Sequence, residues 1–450
     1  MSPRDEVEAL AELGARVVRL AEQRGADAAE VRAVSGRDLS ARVCGGEVEA
    51  LEAARHRGVA VRLLRAGRVG LGATSDLSPS GLEALVDDAL SLAEWAEVEF
   101  HPSPVPSSAP GGADVDLDLH DAAADGVEVA ELVLAARALE RGVGSVEGGR
   151  AEEAAASASL AASALVLSSG FSSGYTGTVW ALEVAALAER PGQRRQRARV
   201  SAHARHRVDL LAPEALGERA ATRAGRKLAA RPVPSCEVPV VLHPEVTAEL
   251  LELFVTTLLG TALRPGDPAD GARVASDAVT IVDDPLVPRA LGSRPFDGEG
   301  SPSEAHRLVA AGRLETVLCD RATARALGRR STASARRTPS GGLEVSASNV
   351  TLLPSATRAE DIVRSTARGL YVTETLGLGF DPHTRRFSRA VSGSWIEHGE
   401  LTFPVGEVVL AFDLHEAFRR IDAVGDDPQR SLTLTAPTVR IGRAPLIGAG

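Results

Sequence analysis

From Ala154 to Leu182 the chain runs AAASASLAASALVLSSGFSSGYTGTVWAL without one charged residue. An uncharged run of this length could cross a bilayer as a helix, so its reading decides what class of protein this can be. Ser, Gly and Thr are scattered through it. Apolar and small residues alternate on both sides of a Gly/Ser cluster, as in SALVLSSG and TVWALEVAAL. Alternation around a turn cluster is the pattern of two paired strands, not of a span. Aromatic residues make up only 3% of the chain although 44% of it is hydrophobic. The cores must therefore be built from Ala, Val and Leu.

The remaining patterns mix helix and strand. Val7, Leu10, Leu13, Val17 and Leu20 recur at helical steps and predict an amphipathic helix over 5–24. That segment carries many charges and no uninterrupted apolar core, so it is not expected to be a signal peptide, and the cytoplasm is the expected location. LSARVC and GVAVRLLRAGRVGLGAT read as strands, the second with a hairpin turn at Gly67. SDLSPSGLEALVDDALSLAEWA reads as a helix that Ser78 or Ser80 can cap. HPSPVPSSAPGGAD (101–114) reads as a linker or exposed loop. Further expectations are a helix over about 122–141, the strand pair within 155–190, a strand in RQRARVSAHARHRVDLL, and a helix over 213–230.

RPVPSCEVP (231–239) is the best domain boundary, with a strand VPVVL and a helix from about Pro244 to Leu263 beyond it. STASARRTPSGG (331–342) is expected to be a mobile loop. The expected fold is thus α+β with two domains, a mixed α/β N-terminal domain (1–230) and a β-rich C-terminal domain (231–450).

The formal net charge of −11 disfavours nucleic-acid binding, which draws most of its affinity from neutralising phosphates. Cys44, Cys236 and Cys319 are the only cysteines and form no CxxC pair, which excludes a zinc ribbon and fits a reducing compartment. Three histidine settings invite a catalytic reading. His203 and His206 in HARH would point to opposite faces of a strand. His243 precedes a helix whose first turn holds Glu245, which suits the helix dipole. His415-Glu416 begins like a zincin helix but has no second His four residues on. No GxSxG elbow, P-loop or strand-bound GxGxxG occurs.

The second half carries a series of blocks in order: FDGEG (296–300), VAAGRLETVLCDRATARALG (309–328), SASNVTLLPS (346–355), and a long run over 367–412 that includes GLYVTETLG and GSWIEHGELTFPV. With GVAVRLLRAGRVGLGATSDLS and ARHRVDLLAPEALGERAATRAGRKL in the first half, the series resembles the PmbA branch of the TldD/PmbA family over roughly residues 7–447. The resemblance implies a two-domain α+β protein that pairs with a TldD-like partner to cleave peptides or peptide-like substrates. In the TldD branch an HExxxH helix and a downstream Cys hold zinc. The equivalent helix here reads ELLELFVTTLLG, with Glu252 and Thr257 near the two His positions, and no cysteine follows Cys319. The resemblance therefore implies no cofactor in this chain and zinc in the partner.

Three functions follow as alternatives: a non-catalytic, metal-free subunit of a heterodimeric zinc metallopeptidase, a specificity subunit of an amide-hydrolase pair in natural-product biosynthesis, or a standalone homodimeric hydrolase. No nucleic acid and no membrane is expected as partner. Tyr371, Thr373, Glu374 and Trp395 are the candidates for lining a substrate cleft or interface, with core packing as the competing explanation. The apolar runs GLYVTETLGLGF and VVLAF are candidates for a dimer interface on the C-terminal domain.

Overall fold

In the N-terminal half, alternate residues of long strands are buried on one face. The computed structural model describes residues 2–98, 116–264, 267 and 270–448, so the segment 101–114 lies outside the described residues. Strand β1 (Ala28–Cys44) buries Ala29, Val31, Ala33, Leu39, Ala41 and Val43. Strand β4 (Gly149–Leu167) buries Ala154, Ala156, Ala158, Ala162, Ala164 and Val166. With β2 (Glu47–Arg65), β3 (Arg68–Thr74), β5 (Ser172–Ala188) and β6 (Gln196–Ala204) they form an antiparallel sheet ordered β3-β2-β1-β4-β5-β6. The uncharged run is the β4–β5 pair. Ala66 and Gly67, both at positive φ, turn β2 into β3 as a two-residue hairpin requires.

Four helices cover this face. Helices α1 (Pro3–Gln23) and α2 (Pro79–Trp95) pack over its Ala29–Ala33 end, and α3 (Val129–Gly144) and α4 (Pro213–Arg226) over its Leu39–Val43 end. Ser78 caps α2, its hydroxyl accepting from the Gly81 N–H at 3.1 Å. The small-residue core lets backbones approach closely. A Cβ on Gly142 would sit 2.0 Å from the Glu214 carbonyl oxygen, and one on Gly217 would sit 2.2 Å from that of Leu139. The helix expected over 122–141 is a short turn at Ala122–Ala124 followed by α3.

The C-terminal half is β-rich. Strands β7 (Cys236–Leu242), β14 (Arg368–Leu376), β15 (Phe380–Asp381), β16 (Arg386–Glu397), β17 (Glu400–Asp413) and β21 (Val439–Ile447) run in the order β14-β7-β21-β17-β16-β15, and β18 (Ile421–Val424) joins β21. Because β14 also pairs with β16, five of these strands close into a ring, which removes their free edges. A second sheet runs in the order β10-β9-β8-β13-β20-β19, with β8 at Ile281–Asp283, β9 at His306–Ala310, β10 at Arg313–Leu314, β13 at Val350–Leu352, β19 at Gln429–Ser431 and β20 at Leu434–Ala436. Short helices α6 (Arg321–Ala326), α7 (Ala359–Arg364) and α8 (Leu414–Arg419) complete the half together with α5 (Pro244–Thr256).

Two expectations need correction. The helix after VPVVL stops at Thr256 rather than reaching Leu263. Thr257 turns its hydroxyl back onto the Phe254 carbonyl at 2.7 Å, Leu259 is extended, and a single 3-10 turn covers Gly260–Ala262. The segment 331–342 is a docked hairpin and not a free loop. Its β11 (Ala335–Arg337) pairs with β12 (Leu343–Val345), which follows directly after it. The Arg337 guanidinium is buried, donates to Gly298 O at 2.7 Å, and forms an ion pair with Glu30 of β1, which Arg62 of β2 also contacts at 3.0 Å. The C-terminal half is thereby tied to the open face of the N-terminal sheet. In VVLAF, Val408 and Leu410 are fully buried core residues of β17. No helix among the described residues is long and apolar enough to cross a membrane.

Candidate functional site

A cavity of about 730 Å³ opens where α4 and β6 of the N-terminal half meet α5, β14 and β16–β17 of the C-terminal half. A local irregularity in β14 aims side chains into it. In the β14–β16 ladder Val372 faces Gly393 and Glu374 faces Ser392, so Thr373 is the extra residue of a bulge. A bulge re-aims the side chains next to it. Gly393 is required opposite, since a Cβ there would lie 1.9 Å from the Tyr371 carbonyl oxygen. Tyr371, Thr373 and Glu374 all line the cavity. Trp395 does not. It is 3% exposed and belongs to the core of the strand ring, with Phe403 at 6.4 Å and the Arg368 guanidinium at 5.4 Å from its ring. Two of the three residues that follow the bulge in register with β16 are thus open to the cavity, while the tryptophan on β16 faces away from it.

Charge dominates the lining. The Glu374 carboxylate forms an ion pair with Lys227, which also donates to Arg197 O at 2.7 Å. Lys227 is the only lysine among 50 basic residues. That singularity is the sequence signal that could have drawn attention to this position. At the start of α5 the Glu245 carboxylate is gripped by Arg219 at 2.7 Å and by both Arg223 nitrogens at 2.5 and 2.6 Å. Burial opposes ionisation of Glu245, but the hydrogen bonds and charges of Arg223 and Arg219 outweigh it and hold the carboxyl below its ordinary range. His243 caps α5, its Nδ1 accepting from the Glu245 N–H at 3.3 Å. Its pKa is lowered by burial, more than Glu245 can offset, so the ring is neutral at neutral pH. Burial, and then Asp427, push the Tyr371 hydroxyl up to about 12, so it is a permanent proton donor. Nearer the surface, Thr375 donates to Glu249 at 2.6 Å and accepts from Arg389 at 3.3 Å.

A neighbouring cavity of about 450 Å³ shares Arg199, Arg223, Glu245 and Glu249 with the first. Six consecutive residues of β6, Arg199–Ala204, line it. Since β6 ends its sheet, its outer backbone edge has no strand partner among the described residues. The arrangement can hold an extended polar chain: backbone groups along β6, then a gallery of guanidinium, carboxylate and hydroxyl groups.

The other two histidine settings lie apart from this cluster or at its rim: His203 lines the second cavity. His203 lies on β6, while His206 has left the strand and its Nε2 donates to Asp118 O at 2.9 Å beneath the surface. His415 is buried against the end of α5, with its Nε2 at 2.7 Å from the Thr257 hydroxyl. Glu252 on α5 is exposed, whereas Thr257, just past its last residue, is half-buried and committed to His415. Among the described residues, no three His, Cys, Asp or Glu side chains converge as metal ligands. The residues at these positions do not fit a zinc ion.

The sequence matches the PmbA/TldA metallopeptidase C-terminal domain over residues 235–448 and PmbA/TldA metallopeptidase domain 1 over residues 29–93. It is 27% identical over 437 residues to the metalloprotease PmbA of Escherichia coli O157:H7, covering 94% of this chain and 92% of that one. A metalloprotease PmbA homolog of Haemophilus influenzae is 27% identical over 453 residues, covering 96% and 94%. The crystal structure of TldE from Thermococcus kodakarensis has the same fold, with a TM-score of 0.86 over 97% of this chain and 100% of that one at 18% identity.

Proposed function

The chain belongs to the PmbA/TldD family, and from that premise we propose that it is the metal-free, non-catalytic subunit of a heterodimeric zinc metallopeptidase acting in the cytoplasm on peptides or peptide-like substrates. The observation that carries the reading is the end of α5. Where an HExxxH helix would present two histidines, this helix has Glu252 turned to solvent and Thr257 hydrogen-bonded to a buried histidine. A catalytic zinc needs about three protein ligands and an open position, and this helix supplies neither. The zinc is expected in a TldD-like partner, where it would polarise the scissile carbonyl and activate water.

This chain's share of the work is to bind. The free edge of β6 can take up an extended peptide through backbone hydrogen bonds, which tolerates many side-chain sequences. Lys227 and Glu374 line the larger cavity with Tyr371 and Thr373, where they can hold the polar groups of that peptide. The test is reconstitution. Unstructured peptides incubated with this chain alone should stay intact, with the TldD-like subunit alone should be cut slowly or not at all, and with the mixture should be cut. Cleavage by this chain alone that survives rigorous separation from any partner would sink the proposal.

A further inference from the structure

The two adjoining cavities are lined by seven arginine or lysine side chains against four of aspartate or glutamate, although the whole chain carries a formal charge of −11. Every carboxylate in this lining has a cation beside it. Arg219 and Arg223 hold Glu245, Lys227 holds Glu374, Arg289 lies 3.4 Å from Asp209, and Arg389 lies 3.7 Å from Glu249. The loosest of these pairs is weaker still, because burial raises the Glu249 pKa more than Thr375 and Arg389 can lower it.

The reverse does not hold. Arg199 turns to Glu153 at 2.9 Å, outside the lining. Arg226 in the larger cavity and Arg430 in the smaller one are exposed, and neither has a carboxylate at ion-pair distance among the described residues. A cation in the last turn of α4 suits the helix dipole, which accounts in part for Arg226. That reason does not extend to Arg430, which lies on β19. The surplus charge in the lining is therefore positive, and the low-dielectric walls of a cleft concentrate its field.

Neutral donors stand near Arg226. Its charge reaches the Tyr371 hydroxyl, and the His243 ring lies 6.3 Å from that of Tyr371. His243 is neutral and its Nδ1 accepts from the Glu245 N–H, so its hydrogen sits on Nε2. Asp427, whose charge also reaches Tyr371, is taken up by Thr438, accepting from its N–H at 2.9 Å and its hydroxyl at 2.8 Å.

We infer that the two cavities select acidic peptides, with carboxylates of the extended guest received by Arg226 on α4 and by Arg430 on β19. The inference rests on reading these cavities as the seat of the peptide, and it adds the class of peptide they prefer.

Calorimetric titration of the full-length chain tests it. The probes are three decapeptides on one Ser/Thr frame, acetylated and amidated, carrying several Glu, no charge or several Lys. The Glu peptide should bind about tenfold more tightly than the uncharged one, the gain expected from two solvent-accessible ion pairs, and the Lys peptide more weakly than either. Added salt should erode the difference, since such pairs are screened. In R226Q/R430Q the ratio of acidic to uncharged affinity should fall to about one, and in R226E/R430E it should invert. Both side chains are exposed, and circular dichroism checks that the variants stay folded. Equal binding of the three peptides by the wild type, or an acidic preference that survives R226Q/R430Q, would overturn the inference and leave the peptide-binding reading standing. Failure of all three peptides to bind would overturn that reading, and the inference with it.

Discussion

Replacing His415 probes how the end of α5 is held. Thr257 donates its single hydroxyl hydrogen to Phe254 O at 2.7 Å, so toward His415 Nε2, also at 2.7 Å, it can only accept. His415 therefore carries a proton on Nε2. Its Nδ1 is buried without a partner among the described residues, and the ring lies 5.1 Å from that of Phe254. A second proton would put a cation on Nδ1 in that apolar site. Burial first, then the Arg385 charge, push the pKa from 6.5 down to about 4. The unfolded chain then binds the proton more readily than the folded one, so stability rises with pH across this interval. The contribution is full above the unfolded value and is lost as pH falls toward about 4. It amounts to about 3 kcal/mol in all, of which about 2 kcal/mol disappears between about pH 7.5 and about pH 5. His415→Gln keeps a donor for Thr257 and cannot ionise. Urea unfolding at the two pH values should show the wild type losing about 2 kcal/mol more than the variant. Equal losses in the two proteins would refute the tautomer and burial argument.

Glu374→Gln should leave the fold and partner binding intact but alter peptide turnover by the reconstituted pair, whereas Lys227→Met, which strands a partly exposed carboxylate, should cost about 1–2 kcal/mol in a denaturant melt. Gly217→Ala forces a methyl against the Leu139 carbonyl and should destabilise by about 1–3 kcal/mol, read as a lower midpoint of urea unfolding. With an aromatic disulfide reagent on the native chain, exposed Cys44 should react quickly while Cys319, buried and pushed up to about 11, should react only on unfolding.

Local structure was largely legible in the sequence. The alternation in 154–182, the helical spacing of Val7 to Leu20, the Gly67 turn and the Ser78 cap each rest on neighbours within a few residues, and each is found where its pattern places it. What failed depended on contacts distant in sequence. Thr257 ends α5 with help from His415, and nothing local in FVTTLLG announces that histidine. The small, polar STASARRTPSGG has the composition of a loop, yet Arg337 anchors it to Glu30, some three hundred residues earlier in the chain. Trp395 was a cleft candidate because tryptophan is scarce here, but scarcity does not say which side of a strand faces the core. The bulge at Thr373, which turns Glu374 toward Lys227, is a register irregularity that appears only when β14 meets β16. The lone lysine was visible throughout, and its meaning emerges only with its partner.

The central claim is that this chain binds and positions while a partner holds the metal. Co-expression with a TldD-like, HExxxH-bearing subunit, followed by separation of the two chains and elemental analysis of each, tests it most directly. The account predicts about one zinc on the partner and none retained by this chain. Stoichiometric zinc that stays with this chain after separation, and is lost on Thr257→Ala or His415→Gln, would contradict it.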